Sequence, residues 1–269
     1  MATNRLKRYI GFVAALVGVA VLLAACYTVP ETGRQTFIAF SAEQEAQLGL
    51  TTFQEMKSKG KVSQDPAANA MIQRVGKRVS AVAQLPNAQW EFVVFENAEP
   101  NAFCLPGGKV GFHTGILPIC KDDAGVATVM GHEVAHAVAR HGGRRMTEQL
   151  ALQLGAVGLS VAMREKPAQT QQMAMVAYGG IATVGVALPF SRTDETEADH
   201  IGLIYMAKAG YDPHAAVEFW QRFSAVTKGG SPPEFLSTHP GGATRIANLK
   251  KWLPEVMPYY EAAKASGVK

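Results

Sequence analysis

Two histidines and a glutamate set the chemistry of this chain: Gly131-His132-Glu133-Val134-Ala135-His136 lies mid-sequence in a stretch that reads as one helix. His132 and His136 stand four positions apart and a helix turns once in about 3.6 residues, so both imidazoles leave one face and can grip one metal ion. Glu133 lies beside them, where a carboxylate can take a proton from water activated by that metal. A hydrolytic zinc site needs a third protein ligand and one open position. Glu195 and Glu197 both qualify chemically. Asp199 follows Glu195 by four residues, on the same helical face, where it can hydrogen-bond a ligand imidazole and fix its tautomer. That geometry favours Glu195 as ligand with Asp199 behind it, whereas Glu197 points about 200° away around the helix and reads as a surface or structural charge. His113, His141, His200 and His214 read as structural or solvent-exposed.

Several elements must hold these groups in place. Asp122 or Asp123 can cap the metal helix, and Val126, Val129, Met130, Val134, Ala137 and Val138 supply its apolar stripe. The second site helix begins at Ser191 and ends near Ala209-Gly210. Upstream, Ser41-Ala-Glu-Gln opens a helix in capping-box style, and Asp65-Pro66 starts another whose buried stripe is Ile72, Val75, Val79 and Val82. Residues 90–95 read as a strand, and 101–115 as two strands joined at Pro106-Gly107-Gly108. Residues 101–105 form the candidate edge beside the cleft. An extended peptide can add to such an edge, with Asn101, Ala102 and Phe103 as its contacts. Residues 146–190, apolar and poor in charge, read as a pair of buried or cleft-covering helices, a lid or a substrate-gripping surface, with partial membrane contact as the alternative. Asp212-Pro213 starts a further helix, 231–233 is a turn, 237–242 a loop, and a last helix runs over 245–253. The fold class expected is α+β, mostly helical, with a small sheet bordering the cleft.

Composition narrows the function classes. Nearly half the residues are apolar, which excludes a disordered or fibrous chain. The net charge of +4 is largely a property of the N-terminus: 26 basic residues less Arg5, Lys7 and Arg8 leave 23 against 22 acidic. A nearly neutral remainder gives no argument for nucleic-acid binding. The basic start followed by an apolar run over 10–25 has the layout of a secretory signal. Leu23-Ala24-Ala25-Cys26 resembles the lipobox of bacterial lipoproteins, in which the Cys is lipidated, and this is favoured over an uncleaved membrane anchor. No Asp follows Cys26, so in a Gram-negative bacterium the resemblance implies sorting to the outer membrane, facing the periplasm. The organisation expected is a signal peptide over 1–25, an extended tether over 26–40, a metallopeptidase domain over 41–255 and a tail over 256–269. In an oxidising compartment Cys104 and Cys120 can form a disulfide across the hairpin.

His132-Glu-x-x-His136, then Ser191-Arg192, Glu195-x-Glu197-Ala198-Asp199, with Asn101-Ala-Phe, Thr238-His239-Pro240 and Arg245-Ile246, resemble the HtpX- and BepA-type gluzincin metallopeptidases. That family also includes the CAAX prenyl proteases, and the resemblance covers about residues 40–255. It implies a zincin-like fold, one Zn2+ per chain and Glu195 as third ligand. It also gives His239 a role: in BepA-like members this residue can take the fourth zinc position and hold the enzyme repressed. Otherwise His239 is a candidate donor to the developing oxyanion, with Arg245 nearby. The resemblance implies misfolded or stalled envelope proteins as substrates, in quality control. Neither a BepA-type repeat extension nor a clear HtpX-type set of membrane helices is visible, so those proteins' own partners do not carry over. Two other classes compete: an assembly factor that holds clients without cutting them, and a lipoprotein with a closed, structural four-ligand zinc.

Overall fold

A computed structural model describes residues 26–186, 190–226, 235, 239 and 243–267, with side chains left aside over 180–186. The signal stretch 1–25, the turn at 231–233, Thr238 and Pro240 lie outside the described residues. The expected mixed architecture is present: helices α1 (Ala42–Lys59), α2 (Pro66–Val82), α3 (Asp123–Val138), α4 (His141–Met163), α5 (Ala168–Val186), α6 (Arg192–Lys208), α7 (His214–Val226) and α8 (Ala243–Ala265) surround two small sheets. Strands β1 (Cys26–Thr28) and β2 (Gln35–Phe37) pair antiparallel. Strands β3 (Glu91–Phe95), β4 (Ala102–Leu105) and β5 (Lys109–His113) form a sheet in the order β3-β5-β4, leaving β4 at one edge.

Local chemistry sets the boundaries. Ser41 and Gln44 form the reciprocal capping box of α1, and Asp65 accepts from the Ala67 and Ala68 amides ahead of α2. Gly107 and Gly108 both sit at φ +81, a conformation that favours glycine, and let β4 turn back into β5. Asp122 caps α3 through the Gly125 amide. α3 is buried on every side from Gly125 to Val138, as expected of a helix with apolar residues all round. Arg140, at φ +53, breaks the chain between α3 and α4.

α3 and α6 cross closely because both present glycine there. A Cβ on Gly202 would lie 2.7 Å from the His132 nitrogen, and one on Gly131 2.7 Å from the Gly202 oxygen. This crossing puts the first turn of α6 over the paired histidines.

The disulfide left open for Cys104 and Cys120 is not formed: both are free. Three expectations need correction. Residues 26–40 do more than extend as a tether: Val29 is fully buried, Ile38 nearly so, and Tyr27 Oη donates to the Val138 carbonyl at 2.6 Å. The last helix does not stop near Leu253 but runs through Pro254 and Pro258 to Ala265, burying Val256 and Ala263. The segment 146–190 is no buried pair: Leu154, Val157, Met173 and Val176 are all more than 60% exposed. α4 and α5 pack mainly on each other, with Tyr178 Oη donating to the Leu152 carbonyl. No helix among the described residues is long and apolar enough to cross a membrane.

Candidate metal centre

The crossing of α3 and α6 brings His132, His136 and Glu195 together, and His239 joins them from the segment before α8. One ligand-type atom from each of the four lies within 4.8 Å of the others, and all four residues are buried. Glu195 Oε2 is 3.5 Å from His132 Nε2 and Glu195 Oε1 3.4 Å from His136 Nε2. His239 Nδ1 lies 2.9 Å from Glu195 Oε1 and 3.2 Å from His132 Nε2. Burial would raise the Glu195 carboxyl, but hydrogen bonds from His132, His136 and His239 outweigh it and hold the group far below the usual carboxylate range.

Behind His132 stands the partner expected from the four-residue spacing. Asp199 Oδ1 is 2.9 Å from His132 Nδ1, so the ring donates there and turns Nε2 toward the cluster. Arg245 holds this carboxylate through Nε at 2.5 Å and Glu195 through Nη2 at 2.7 Å, with its guanidinium 3.8 Å over the Trp220 ring. Burial opposes ionisation of Asp199, yet Arg245 and His132 keep its pKa lowered. Burial and Arg245 pull the His132 pKa down; hydrogen bonds to Asp199 and Glu195 outweigh them and leave it raised. A metal bound here would compete with that proton, so its binding would weaken in acid.

Glu133 faces the cleft. Its Oε1 is buried without a hydrogen-bond partner, 3.6 Å from His239 Nε2, and burial pushes its pKa up to about 7. A carboxylate tuned near neutrality suits a general base. The cleft, about 370 Å³, is lined by Glu133, His136 and His239 on one side and by Asn101, Ala102 and Phe103 with the rest of β4 on the other. The candidate edge strand thus borders the candidate base. Arg245 is not among the lining residues; it lies behind the ligands.

Some partners were not foreseen. Phe190 lays its ring 4.4 Å from that of His136, and Trp220 supports both Arg245 and His132. His141, read as structural or exposed, is fully buried with Nδ1 2.8 Å from His136 Nδ1. Glu197, read as a surface or structural charge, is buried 2.8 Å from His141 Nε2. The signal available in sequence was His141 itself, five residues beyond a ligand at the mouth of the next helix.

Two imidazoles, a carboxylate and a third imidazole in one buried cluster make a mixed nitrogen and oxygen set that suits zinc, so the residues present fit the metal. A glutamate from a second helix meeting a His-Glu-x-x-His pair inside an α+β fold is how zincin-like metallopeptidases hold their ion. The model of peptidase family M48 matches residues 66–253, and the chain belongs to that family. Among curated proteins it is 37% identical over 231 residues to the mitochondrial metalloendopeptidase OMA1 of Schizosaccharomyces pombe, covering 84% of this chain and 66% of that protein. It is 38% identical over 193 residues to the same-named protein of Saccharomyces cerevisiae, covering 68% and 53%. It is 28% identical over 238 residues to the beta-barrel assembly-enhancing protease of Escherichia coli, covering 86% and 48%. The chain thus spans between about half and two thirds of these relatives' lengths.

Proposed function

We propose that this chain is a zinc-dependent endopeptidase that cuts extended segments of misfolded or stalled proteins at a bacterial envelope membrane. It is held there by lipid on Cys26 and faces the periplasm. The carrying observation is that the cluster of His132, His136 and Glu195 adjoins a cleft shared by a buried Glu133, whose Oε1 has no hydrogen bond, and by edge strand β4. The family and the printed name of the bacterial relative support the envelope setting, while OMA1 is described as mitochondrial.

His132, His136 and Glu195 would hold the zinc. Zinc supplies Lewis acidity, lowering the pKa of water and polarising the peptide carbonyl. Asp199 keeps the His132 Nε2 lone pair aimed at the site, and Arg245 keeps both acidic side chains ionised. An extended substrate would add to β4 beside Asn101, Ala102 and Phe103, which fixes its scissile bond over the ligands. Glu133 takes the proton from the attacking water and delivers it to the leaving amine. Glu133→Gln should retain zinc and lose casein cleavage by a factor on the order of 100 or more. Undiminished cleavage would refute the peptidase reading.

One observation favours a second, non-proteolytic reading at rest: His239 Nδ1 lies inside the ligand group, where it can fill the position water needs. Cleavage by His239→Ala above the wild-type level would make that contact a brake on the enzyme. Equal cellular rescue by wild type and Glu133→Gln would favour the client-holding factor.

A further inference from the structure

The second ligand histidine is braced by a chain of polar contacts that starts outside the metallopeptidase motif. His136 Nδ1 lies 2.8 Å from His141 Nδ1, and His141 Nε2 lies 2.8 Å from Glu197 Oε2, with Asp194 Oδ1 at 3.5 Å. Glu197 is held from the far side by the N-terminal hairpin: Thr32 Oγ1 donates to its Oε1 at 2.5 Å, and Arg34 donates to its Oε2 from Nε at 2.8 Å and lies 2.7 Å away through Nη2. His141 is fully buried and Glu197 nearly so.

Proton placement along this chain follows from donor and acceptor chemistry. Glu197 accepts at both oxygens, from Thr32 Oγ1 and from the Arg34 guanidinium. A carboxylate so placed accepts from His141 too, so His141 donates from Nε2 and, as a neutral ring, offers a lone pair at Nδ1. His136 must then donate from Nδ1, which leaves a lone pair on His136 Nε2. His132, donating to Asp199 from Nδ1, likewise turns Nε2 inward, so the Nε2 atoms of the two rings, 3.1 Å apart, are the ones that would face a shared cation.

We infer that His141 and Glu197, clamped by Thr32 and Arg34 of the β1–β2 hairpin, are positioning residues that fix His136 in its metal-binding tautomer. The inference rests on the zinc reading above and extends it: the segment just after Cys26, read from sequence as an extended tether, is a strut of the metal centre. Anchoring and zinc affinity are thereby joined through one carboxylate.

Zinc affinity measured by competition with a chromogenic chelator, and the rise in melting temperature when zinc is added, read this arrangement without any substrate. His141→Ala and Glu197→Ala should each weaken zinc binding about 10- to 100-fold. The double variant should be no weaker than either single one, because both act through one ring. Glu197→Gln keeps an oxygen for His141 Nε2–H and should recover most of the affinity. Arg34→Gln changes a side chain 26% exposed, so it retains the fold, and should weaken binding less but in the same direction. A packing role alone would lower the melting temperature of metal-free and zinc-loaded protein alike and leave the rise on zinc addition unchanged. Affinity within about twofold of wild type in Glu197→Ala and His141→Ala overturns the inference; if both fail to fold, the same result in Arg34→Gln overturns it. Wild-type protein that binds zinc but cleaves nothing would sink the peptidase reading and leave this one standing. Wild-type protein that binds no zinc sinks both.

Discussion

Two helix pairs share the middle of this chain and are built on opposite terms. α3 and α6 cross with glycine against backbone and carry the ligand set. α4 and α5, which lie between them in sequence, lean on each other and turn Leu154, Val157, Met173 and Val176 outward. The first pair buries ionisable groups that a stable core would avoid: His132, Glu133, His136, Glu195 and Asp199 are all at most 6% exposed. The second leaves outside the apolar side chains that a core would take in. Function accounts for the first inversion, since uncompensated buried charge persists where a metal and a reaction need it. The lesson is that burial here follows chemistry: hydropathy alone places α3 correctly but would put the apolar α5 inside and the polar α6 outside.

The sharpest way to break that contrast is to remove the cost of one buried charge. Burial lifts Glu133 to about 7 from the ordinary 4.5, so the folded, metal-free chain binds its proton more tightly than the unfolded chain does. Its contribution to stability is therefore fully present below about pH 4.5 and lost as pH rises through about 7. Metal-free Glu133→Gln should melt above metal-free wild type at pH 8, by up to on the order of 3 kcal/mol, and the gap should close toward pH 5. Thermal melts of the two chelator-treated proteins across that range test it. A gap independent of pH would mean that Glu133 is not the strained group.

The crossing itself is the next target. Adding a methyl at Gly202 drives it against the His132 backbone at 2.7 Å, where neither helix can give locally. Gly202→Ala should cost about 1–3 kcal/mol and separate the two faces that share the metal, so zinc affinity falls with stability. Gly142→Ala, at a site with nothing within 4 Å, is the control that should do neither. Retained zinc affinity in Gly202→Ala would show that the ligand set tolerates a looser crossing.

Much of the group that meets at the α3–α6 crossing was legible before any coordinates. Helical spacing alone pairs His132 with His136, and Glu195 with Asp199, because both depend on one regular period. The β4–β5 turn was equally plain from Pro106-Gly107-Gly108. What lay hidden were contacts between elements far apart in sequence: Arg34 on Glu197, Arg245 across Asp199 and Glu195, Trp220 beneath Arg245. No local period encodes these. Glu197 illustrates the failure: its direction around α6 was read correctly as away from Glu195, yet that direction leads into His141 and the N-terminal hairpin, not to water. His239 was visible only through family resemblance, since a lone histidine between prolines and glycines carries no period at all.

The exposed pair should respond least. Leu154 is 63% and Val176 69% exposed, so replacing either by Ser removes little buried area. Each substitution should shift unfolding by no more than about 0.5 kcal/mol and leave zinc affinity unchanged. Tyr178→Phe, which removes the hydroxyl donated to the Leu152 carbonyl, should cost about 1 kcal/mol and be felt only within α4 and α5. Hydrogen exchange resolves the two cases: amides of α3 and α6 should keep their protection in all three variants, while those of α4 and α5 exchange faster in Tyr178→Phe alone. Loss of protection in α3 would mean that α4 and α5 support the metal helix beyond the contact His141 already makes with His136, and the contrast between the two pairs would fail.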